Sequence, residues 1–443
     1  MNAKKWVLTF LLLALVLVLG LAAFNYVTDP FAAFGDRFLN WFSYDETNNP
    51  RVAKISYLEQ HHDEYDSYIL GCSSTSSLQV SDFNKLYDAN FYNLIMYGAD
   101  MRDCEKIADY LIEHYEVKHL VLNVYLDNGF TYDDETDRLT RNLHYLTDPD
   151  TSALSFYTRY LFCDPRYGFA KLKNLRNDRL LPQSFDVFNE VTGEYDKRVR
   201  DVEPIGSMDT YLEAYPVFAD YPKTGDFVLG QTENCMKSVA AIKERCEAAD
   251  VELVVVAAPV YIDYFQNFQA EDAANFYASL AKVTDFWDFS CSSVSCEPRY
   301  FYDATHFRNA VGSMIAARIA GDDSVYIPDD FGTYVTADTP SSYFSEVLQA
   351  TALPDETVSR DVPVLMWHNL AEESSGDMTI SLDTFRAQIE ALHEAGFKTV
   401  SLQQLYDYVH FGTELPEKPI VLTFDDGYLS NYEYAYPILQ EYG

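Results

Sequence analysis

Short apolar runs that end in glycine or proline alternate along this chain with helix-patterned stretches. Tyr68-Ile69-Leu70 runs into Gly71, and residues 91–97 run into Gly98. A helical span over 101–114 leads to the strand His119-Leu120-Val121-Leu122-Asn123-Val124-Tyr125. Another helical span, over 233–249, precedes a strand over 251–258 that stops at Pro259. Runs this continuously apolar leave no face for water, so helices must cover the sheet on both sides, as in a parallel α/β fold. Between 131 and 230 the rhythm blurs into Tyr-, Asp- and Arg-rich stretches, which read as an insertion over the sheet. Its basic island (Arg166, Lys171, Lys173, Arg176, Arg179) reads as a solvated helix face, with contact to an anionic polymer as the alternative.

From about 327 to 360 the composition shifts to Asp, Thr, Pro and Ser with little periodicity, the signature of an interdomain linker. A second β/α series follows, with strands expected over 362–367, 398–401 and 420–424 and helices over 382–395, 402–410 and 431–442. Three such units cannot close a (β/α) barrel, because a parallel edge stays open, so this part reads as truncated. The resulting division is 1–24, 25–326, 327–360 and 361–443.

Residues 6–24 are almost uninterruptedly apolar and follow Lys4 and Lys5. The run approaches the ~20 residues that cross a bilayer, and the preceding positive charge keeps the N-terminus cytoplasmic and exports the body. A cleaved signal peptide is the alternative, with Leu21-Ala22-Ala23 as a weak small-residue site. A net charge of −37 excludes nucleic acid as a partner, since phosphates would be repelled. The seven cysteines show no CxxC or Cys/His metal spacing; Cys291 and Cys296 are near enough to bridge in an oxidising compartment.

Two motifs carry chemistry. In Ile69-Leu70-Gly71-Cys72-Ser73-Ser74-Thr75, serines stand on the turn leaving a strand, at the sheet edge where open α/β folds bind ligands. In Phe301-Tyr302-Asp303-Ala304-Thr305-His306-Phe307, the Asp-x-x-His spacing lets a carboxylate orient an imidazole whose other nitrogen faces a serine. Further on, Pro419-Ile420-Val421-Leu422-Thr423-Phe424-Asp425-Asp426-Gly427-Tyr428 delivers two adjacent carboxylates from an apolar strand to a glycine turn. Such a pair suits one carboxylate for proton transfer and one for a metal.

The serine and Asp-x-x-His motifs resemble the SGNH hydrolases, especially the membrane-anchored branch of DltD and alginate O-acetylation proteins. The resemblance spans roughly residues 25–325 and includes Thr28-Asp29-Pro30-Phe31 and the run Val283-Thr284-Asp285-Phe286-Trp287-Asp288-Phe289. It implies an α/β/α three-layer parallel sheet and no cofactor. Ser73 would be the nucleophile, His306 the base and Asp303 its orienter, with Gly98 and Asn128 as oxyanion donors. Cys72 stands where the family often has Asp or Ser, and no Gly-x-Asn-Asp block is present.

The aspartate pair resembles the first motif of NodB-type polysaccharide deacetylases, over residues 361–443. That family implies a divalent metal, zinc or similar, with Asp425 as general base and Asp426 as metal ligand. His368, after the strand Val362-Pro363-Val364-Leu365-Met366-Trp367, would face the same mouth. No His-x-x-x-His pair follows His410, so this chain is not expected to deacetylate by itself. Together the resemblances imply an exported, membrane-anchored enzyme acting on acylated cell-envelope polysaccharide. The alternative is an idle SGNH-like scaffold that presents polymer to a deacetylase.

Overall fold

The computed structural model describes residues 3–39, 48–130, 138–177, 187–201, 208–219, 225–346, 362–376, 378–411 and 413–442. It divides into two compact units, Met1–Ala352 and Leu353–Gly443.

The first unit is built on a sheet of β1 (Ser67–Gly71), β2 (Phe91–Ile95), β3 (His119–Asn123), β4 (Glu252–Ala257), β5 (Phe286–Asp288) and β6 (Thr333–Val335). Their order is β2-β1-β3-β4-β5-β6. All pairings are parallel except the last, in which Phe286 faces Val335. Chain order reverses across β1 and β3, which makes the carboxyl ends of these strands the switch point where open α/β sheets bind ligands. Tyr68, Ile69 and Leu70 are all buried, as an apolar run without alternation requires.

The helices that punctuate the sheet are α1 (Ala3–Thr28), α2 (Pro50–His61), α3 (Val80–Tyr87), α4 (Met101–His114), α5 (Ala153–Leu161), α6 (Pro165–Asn177), α7 (Thr232–Ala248), α8 (Ala270–Val283) and α9 (Asn309–Ala320). α4 starts where Asp100 accepts from the backbone N–H of Arg102 and Asp103. It ends at Tyr115, which turns extended. Its buried Cys104, Ile107, Ala108 and Leu111 form the apolar stripe of a surface helix, and α7 packs against it.

Two expectations need correction. The span 327–360 reads as an interdomain linker with little periodicity, yet its residues 333–335 add the antiparallel edge strand β6 and Tyr343 donates to Asp288 Oδ2 at 3.0 Å. Aromatic contacts override the linker-like composition here: Tyr334 packs on Trp287 and Phe331 on Phe289. Residues 347–360 of that span lie outside the described residues. The basic island is also not a uniform solvated face. Lys171 is buried, donating to Asp36 Oδ1 at 2.7 Å and to the Asp29 carbonyl at 2.8 Å. A buried ammonium requires such partners. Arg166 and Lys173 are exposed, whereas Arg179 lies outside the described residues.

Helix α1 is long and apolar enough to cross a membrane, a test that a signal sequence also passes. Its last turn packs against α5 and α6.

The second unit holds a parallel sheet of β7 (Val364–Trp367), β8 (Lys398–Thr399) and β9 (Pro419–Phe424) in the order β8-β9-β7. α10 (Leu382–Glu394), α11 (Leu402–Phe411) and α12 (Tyr436–Tyr442) follow its strands. The helix expected over 431–442 opens with a π turn, Asn431–Ala435, before α12 begins. Trp367, Leu370, Phe385, Ile389, Ala435 and Ile438 form this unit's core.

Candidate active site

Strand β1 ends at Gly71, and the chain turns through a 3-10 helix, Ser73–Ser77. Asparagines on the two neighbouring strands brace this turn. Asn93 Nδ2, on β2, donates to the carbonyls of Thr75 and Leu78 at 3.2 and 3.0 Å. Asn123 Nδ2, on β3, donates to Ser74 Oγ at 2.9 Å and Thr75 Oγ1 at 3.1 Å. These bonds separate the two serines. Ser74 is buried and held by Asn123, and its Oγ lies 3.1 Å from Cys72 Sγ. Ser73 is half-buried and faces a cavity of about 340 Å³.

The same cavity is lined by Asp303 and His306. His306 Nδ1 lies 2.8 and 2.9 Å from the two carboxylate oxygens of Asp303. Asp303 Oδ1 also accepts from the backbone N–H of Thr305 and of His306, at 2.9 and 3.0 Å, so the carboxylate is fixed before it orients the ring. Burial alone would raise the Asp303 pKa. The hydrogen bond and charge of His306, the Thr305 N–H and the charge of Lys197 outweigh it and hold the carboxyl below its usual range. With Nδ1 committed to Asp303, Nε2 is the nitrogen left to serve a hydroxyl in the cavity.

Two contacts hold the serine turn against the histidine loop. Ser77 Oγ donates to the Phe307 carbonyl at 2.6 Å. Helix α9 closes on the turn at Gly312, where a Cβ would stand only 1.7 Å from Ser77 O.

The sequence reading did not anticipate the remaining lining: Tyr97, Tyr195, Lys197, Arg200 and Tyr302. Tyr195 lies on the hairpin of strands Val187–Phe188 and Tyr195–Asp196, and Lys197 follows it. That hairpin docks on β2 through Gly193, at φ +71°, where a Cβ would meet Asn93 O at 2.2 Å, and through Asn93 N–H donating to Thr192 O at 2.9 Å. Arg200 donates to the Tyr302 carbonyl at 3.0 Å and lies over the Tyr215 ring. No periodicity in the insertion pointed to these residues. The asparagines did leave a signal, since Asn93 and Asn123 are polar residues inside apolar strand runs.

Gly98 and Asn128 are not among the residues that line the Ser73 cavity, although Tyr97, next to Gly98, is. Both line a separate cavity, also of about 340 Å³, with Asp100, Gln231 and Asn234. Asn128 Oδ1 accepts from the Tyr125 N–H at 2.9 Å, which ties the side chain into its own turn.

In the second unit, β9 pairs with β7 so that Phe424 faces Trp367, and the Asp425 N–H donates to the Trp367 carbonyl at 2.9 Å. Asp425 and His368 are therefore the next residues at the carboxyl ends of adjacent strands. Asp426 and Gly427 follow at φ +62° and +63°, and both aspartates are exposed. Ser430 Oγ donates to Asn369 Oδ1 at 2.8 Å and accepts from the Leu370 N–H at 3.1 Å, closing the turn over β7.

Comparison with known proteins places this second motif. The poly-β-1,6-N-acetyl-D-glucosamine N-deacetylase of Escherichia coli K12 is 40% identical over 80 residues, which is 18% of this chain and 12% of that enzyme. Over about 80 residues the chain is homologous to NodB-like polysaccharide deacetylases. Among solved structures, the Streptococcus pyogenes deacetylase PplD in complex with acetate is 32% identical over 18% of this chain and 38% of that one, at a TM-score of 0.17. A de-N-acetylase from Aggregatibacter actinomycetemcomitans is 35% identical over 18% of this chain and 34% of its own, also at 0.17. The chain thus spans about an eighth of that Escherichia coli enzyme and 29% of a putative polysaccharide deacetylase, YxkH, of Bacillus subtilis, to which it is 33% identical over 82 residues. No protein-family model matches the chain.

NodB-type deacetylases are generally metal-dependent. The residues here fall short of a metal centre: among the described residues, no group of three or more His, Cys, Asp or Glu side chains is placed to hold an ion. Asp425, Asp426 and His368 stand exposed or half-buried at a strand edge without the three protein ligands a catalytic zinc needs.

Proposed function

We propose that the chain is a membrane-anchored enzyme of cell-envelope polysaccharide deacylation. Its first unit is a serine esterase or acyltransferase with an SGNH-like arrangement, and its second contributes the opening strands of a deacetylase domain. One observation carries the reading of the first unit: Asp303 holds His306 by Nδ1 in the cavity that Ser73 lines.

In this reading His306 Nε2 takes the Ser73 proton as Oγ attacks an acyl carbonyl carbon. Asp303 keeps the ring in the tautomer that leaves Nε2 as acceptor and stabilises the imidazolium that forms. The protonated imidazole then returns its proton to the departing sugar oxygen, leaving an ester on Ser73. Water, or a hydroxyl on a second sugar, attacks that ester with His306 again as base. Backbone N–H groups of the serine turn are candidate oxyanion donors beside Gly98 and Asn128. Lys197 and Arg200 add positive charge to the same cavity.

In the second unit Asp425, with Asp426 and His368, marks the deacetylase edge. No step is assigned to a metal there.

The test is labelling of the full chain by a serine-directed fluorophosphonate. Wild type and Ser74→Ala should label and Ser73→Ala should not; equal labelling of Ser73→Ala would remove Ser73 as nucleophile. Absence of labelling in wild type, with retained binding of acetylated glycan, would select the scaffold reading, which the missing Gly-x-Asn-Asp block favours.

A further inference from the structure

The insertion contains a helical hairpin, α5 and α6, that the proposed chemistry leaves unused. It packs on the base of α1. Asn25 is fully buried there, its Nδ2 donating to the carbonyls of Leu161 and Cys163 at 3.0 and 2.9 Å. Phe24 packs against Phe169 with ring centroids 4.7 Å apart. Gly168 lies so close to α1 that a Cβ would meet Thr28 Oγ1 at 2.6 Å and Phe24 at 2.7 Å. The last turn of α1 is therefore part of the folded unit, and the hairpin is fixed to the helix at a set height.

That height coincides with a bilayer boundary. Counting 19 residues from Trp6 to Phe24 at about 1.5 Å each gives roughly 28 Å, the thickness of a hydrocarbon core of about 30 Å. With Lys4 and Lys5 beyond one surface, the other surface falls at residues 24–26, level with the hairpin. Large apolar side chains are exposed there: Phe38 at 56%, Phe162 at 44%, Phe169 at 60% and Leu172 at 37%. Tyr26 packs edge-on against Phe38 within the same collar. Aromatic rings gather at such boundaries because they place an apolar body and a polar edge at headgroup level. Charge agrees. Residues 151–177 hold five basic side chains and one acidic one, in a chain of net charge −37. Arg166 and Lys173 are exposed beside the collar.

We propose that the α5–α6 hairpin is a membrane-interface platform. Its Phe162, Phe169 and Leu172 would enter the headgroup boundary of the leaflet next to the folded unit, with Arg166 and Lys173 against anionic lipid headgroups. This rests on reading α1 as a retained anchor and goes beyond it: an anchor alone leaves the unit free to swing on its helix, whereas the platform holds the unit in one orientation on the surface.

The experiment reconstitutes the full chain in vesicles of phosphatidylcholine and phosphatidylglycerol brominated high on the acyl chain. Tryptophan quenching is read for Phe169→Trp and Phe162→Trp as the emission added to wild type. Trp6 is read as the difference between wild type and Trp6→Phe, and exposed Tyr334→Trp, on β6, reports a site away from the hairpin. Quenching of Trp6 and of both hairpin tryptophans, with Tyr334→Trp spared, is the expected result. Arg166→Glu with Lys173→Glu should then reduce the Phe169→Trp quenching in phosphatidylglycerol-rich vesicles and leave it unchanged in pure phosphatidylcholine. Trp6 quenched with the hairpin spared would overturn the platform and leave the anchor standing. Trp6 unquenched would overturn both, and quenching of Tyr334→Trp equal to that of the hairpin would reduce the effect to general adsorption.

Discussion

Gly312→Ala probes the assembly of the serine site without touching a chemical group. Gly312 lies in the first turns of α9, six residues after His306, and meets the serine turn backbone to backbone. A methyl group there would sit 1.7 Å from Ser77 O and 2.7 Å from Ser77 C. Both are backbone atoms, so no change of rotamer relieves the clash. Restoring an ordinary contact of 3.4 Å requires helix and turn to part by about 1.7 Å along that line. Overpacking of this kind costs about 1–3 kcal/mol, which in a unit this large lowers the melting temperature by roughly 2–10 °C. The shift is also directional. Ser77 Oγ is bonded to the Phe307 carbonyl, next to His306, so parting α9 from the turn strains the contact that registers Ser73 against the imidazole. A displacement near 1 Å costs about a hundredfold in rate when reacting groups must be aligned. The assay pairs a thermal melt with the rate of fluorophosphonate labelling, and both should fall. A variant that melts and labels like wild type would refute the claim that this contact sets the site. A variant that melts lower yet labels at the wild-type rate would separate packing from alignment.

Other expectations follow from individual contacts. Asp303→Asn keeps the shape of the loop but loses the carboxylate that fixes the His306 tautomer, so labelling should slow by about 10³–10⁴-fold with the melt little changed; a change under tenfold would remove Asp303 from the orienting role. Asp29, buried at the joint below α1, has its pKa raised to about 6 by burial, against the backbone N–H of Asp36 and the charge of Lys171. The folded state therefore holds this proton more tightly than the unfolded chain. That contribution is full below the ordinary value of 3.8 and is lost as pH rises through about 6. Asp29→Asn should flatten the stability profile in this window and at pH 7 stabilise the unit by up to about 3 kcal/mol; a variant that is less stable than wild type at pH 7 and not at pH 4 would reverse the sign. For the second unit, titration of the chain with zinc should show no site tighter than about 1 μM, and a tighter site abolished by Asp426→Asn would overturn the statement that the described residues fall short of a metal centre.

The sequence by itself determined the elements whose residues are held by local rules. The buried strands β1, β3 and β4 were legible because their apolar runs do not alternate, and α4 because residues 101–114 carry a helical pattern. The Asp-x-x-His pair was legible for the same reason, since three residues of separation in one loop suffice to join carboxylate to ring. Tertiary structure decided everything that depends on residues meeting across the chain. Which of two adjacent serines faces the cavity was settled by Asn123, on another strand, binding Ser74. Gly98 and Asn128 follow strand ends as oxyanion donors would, yet both line a neighbouring cavity together with Gln231 and with Asn234 of α7. Lys197 and Arg200 line the serine's cavity because Gly193 lets a hairpin more than a hundred residues further along the chain settle on β2. Lys171, one charge in a basic run, is buried because the turn after α1 offers it Asp36 and a carbonyl. Periodicity records what a residue must hide from water and is silent about its distant partners; those are fixed only when the sheet, the insertion and the base of α1 pack together.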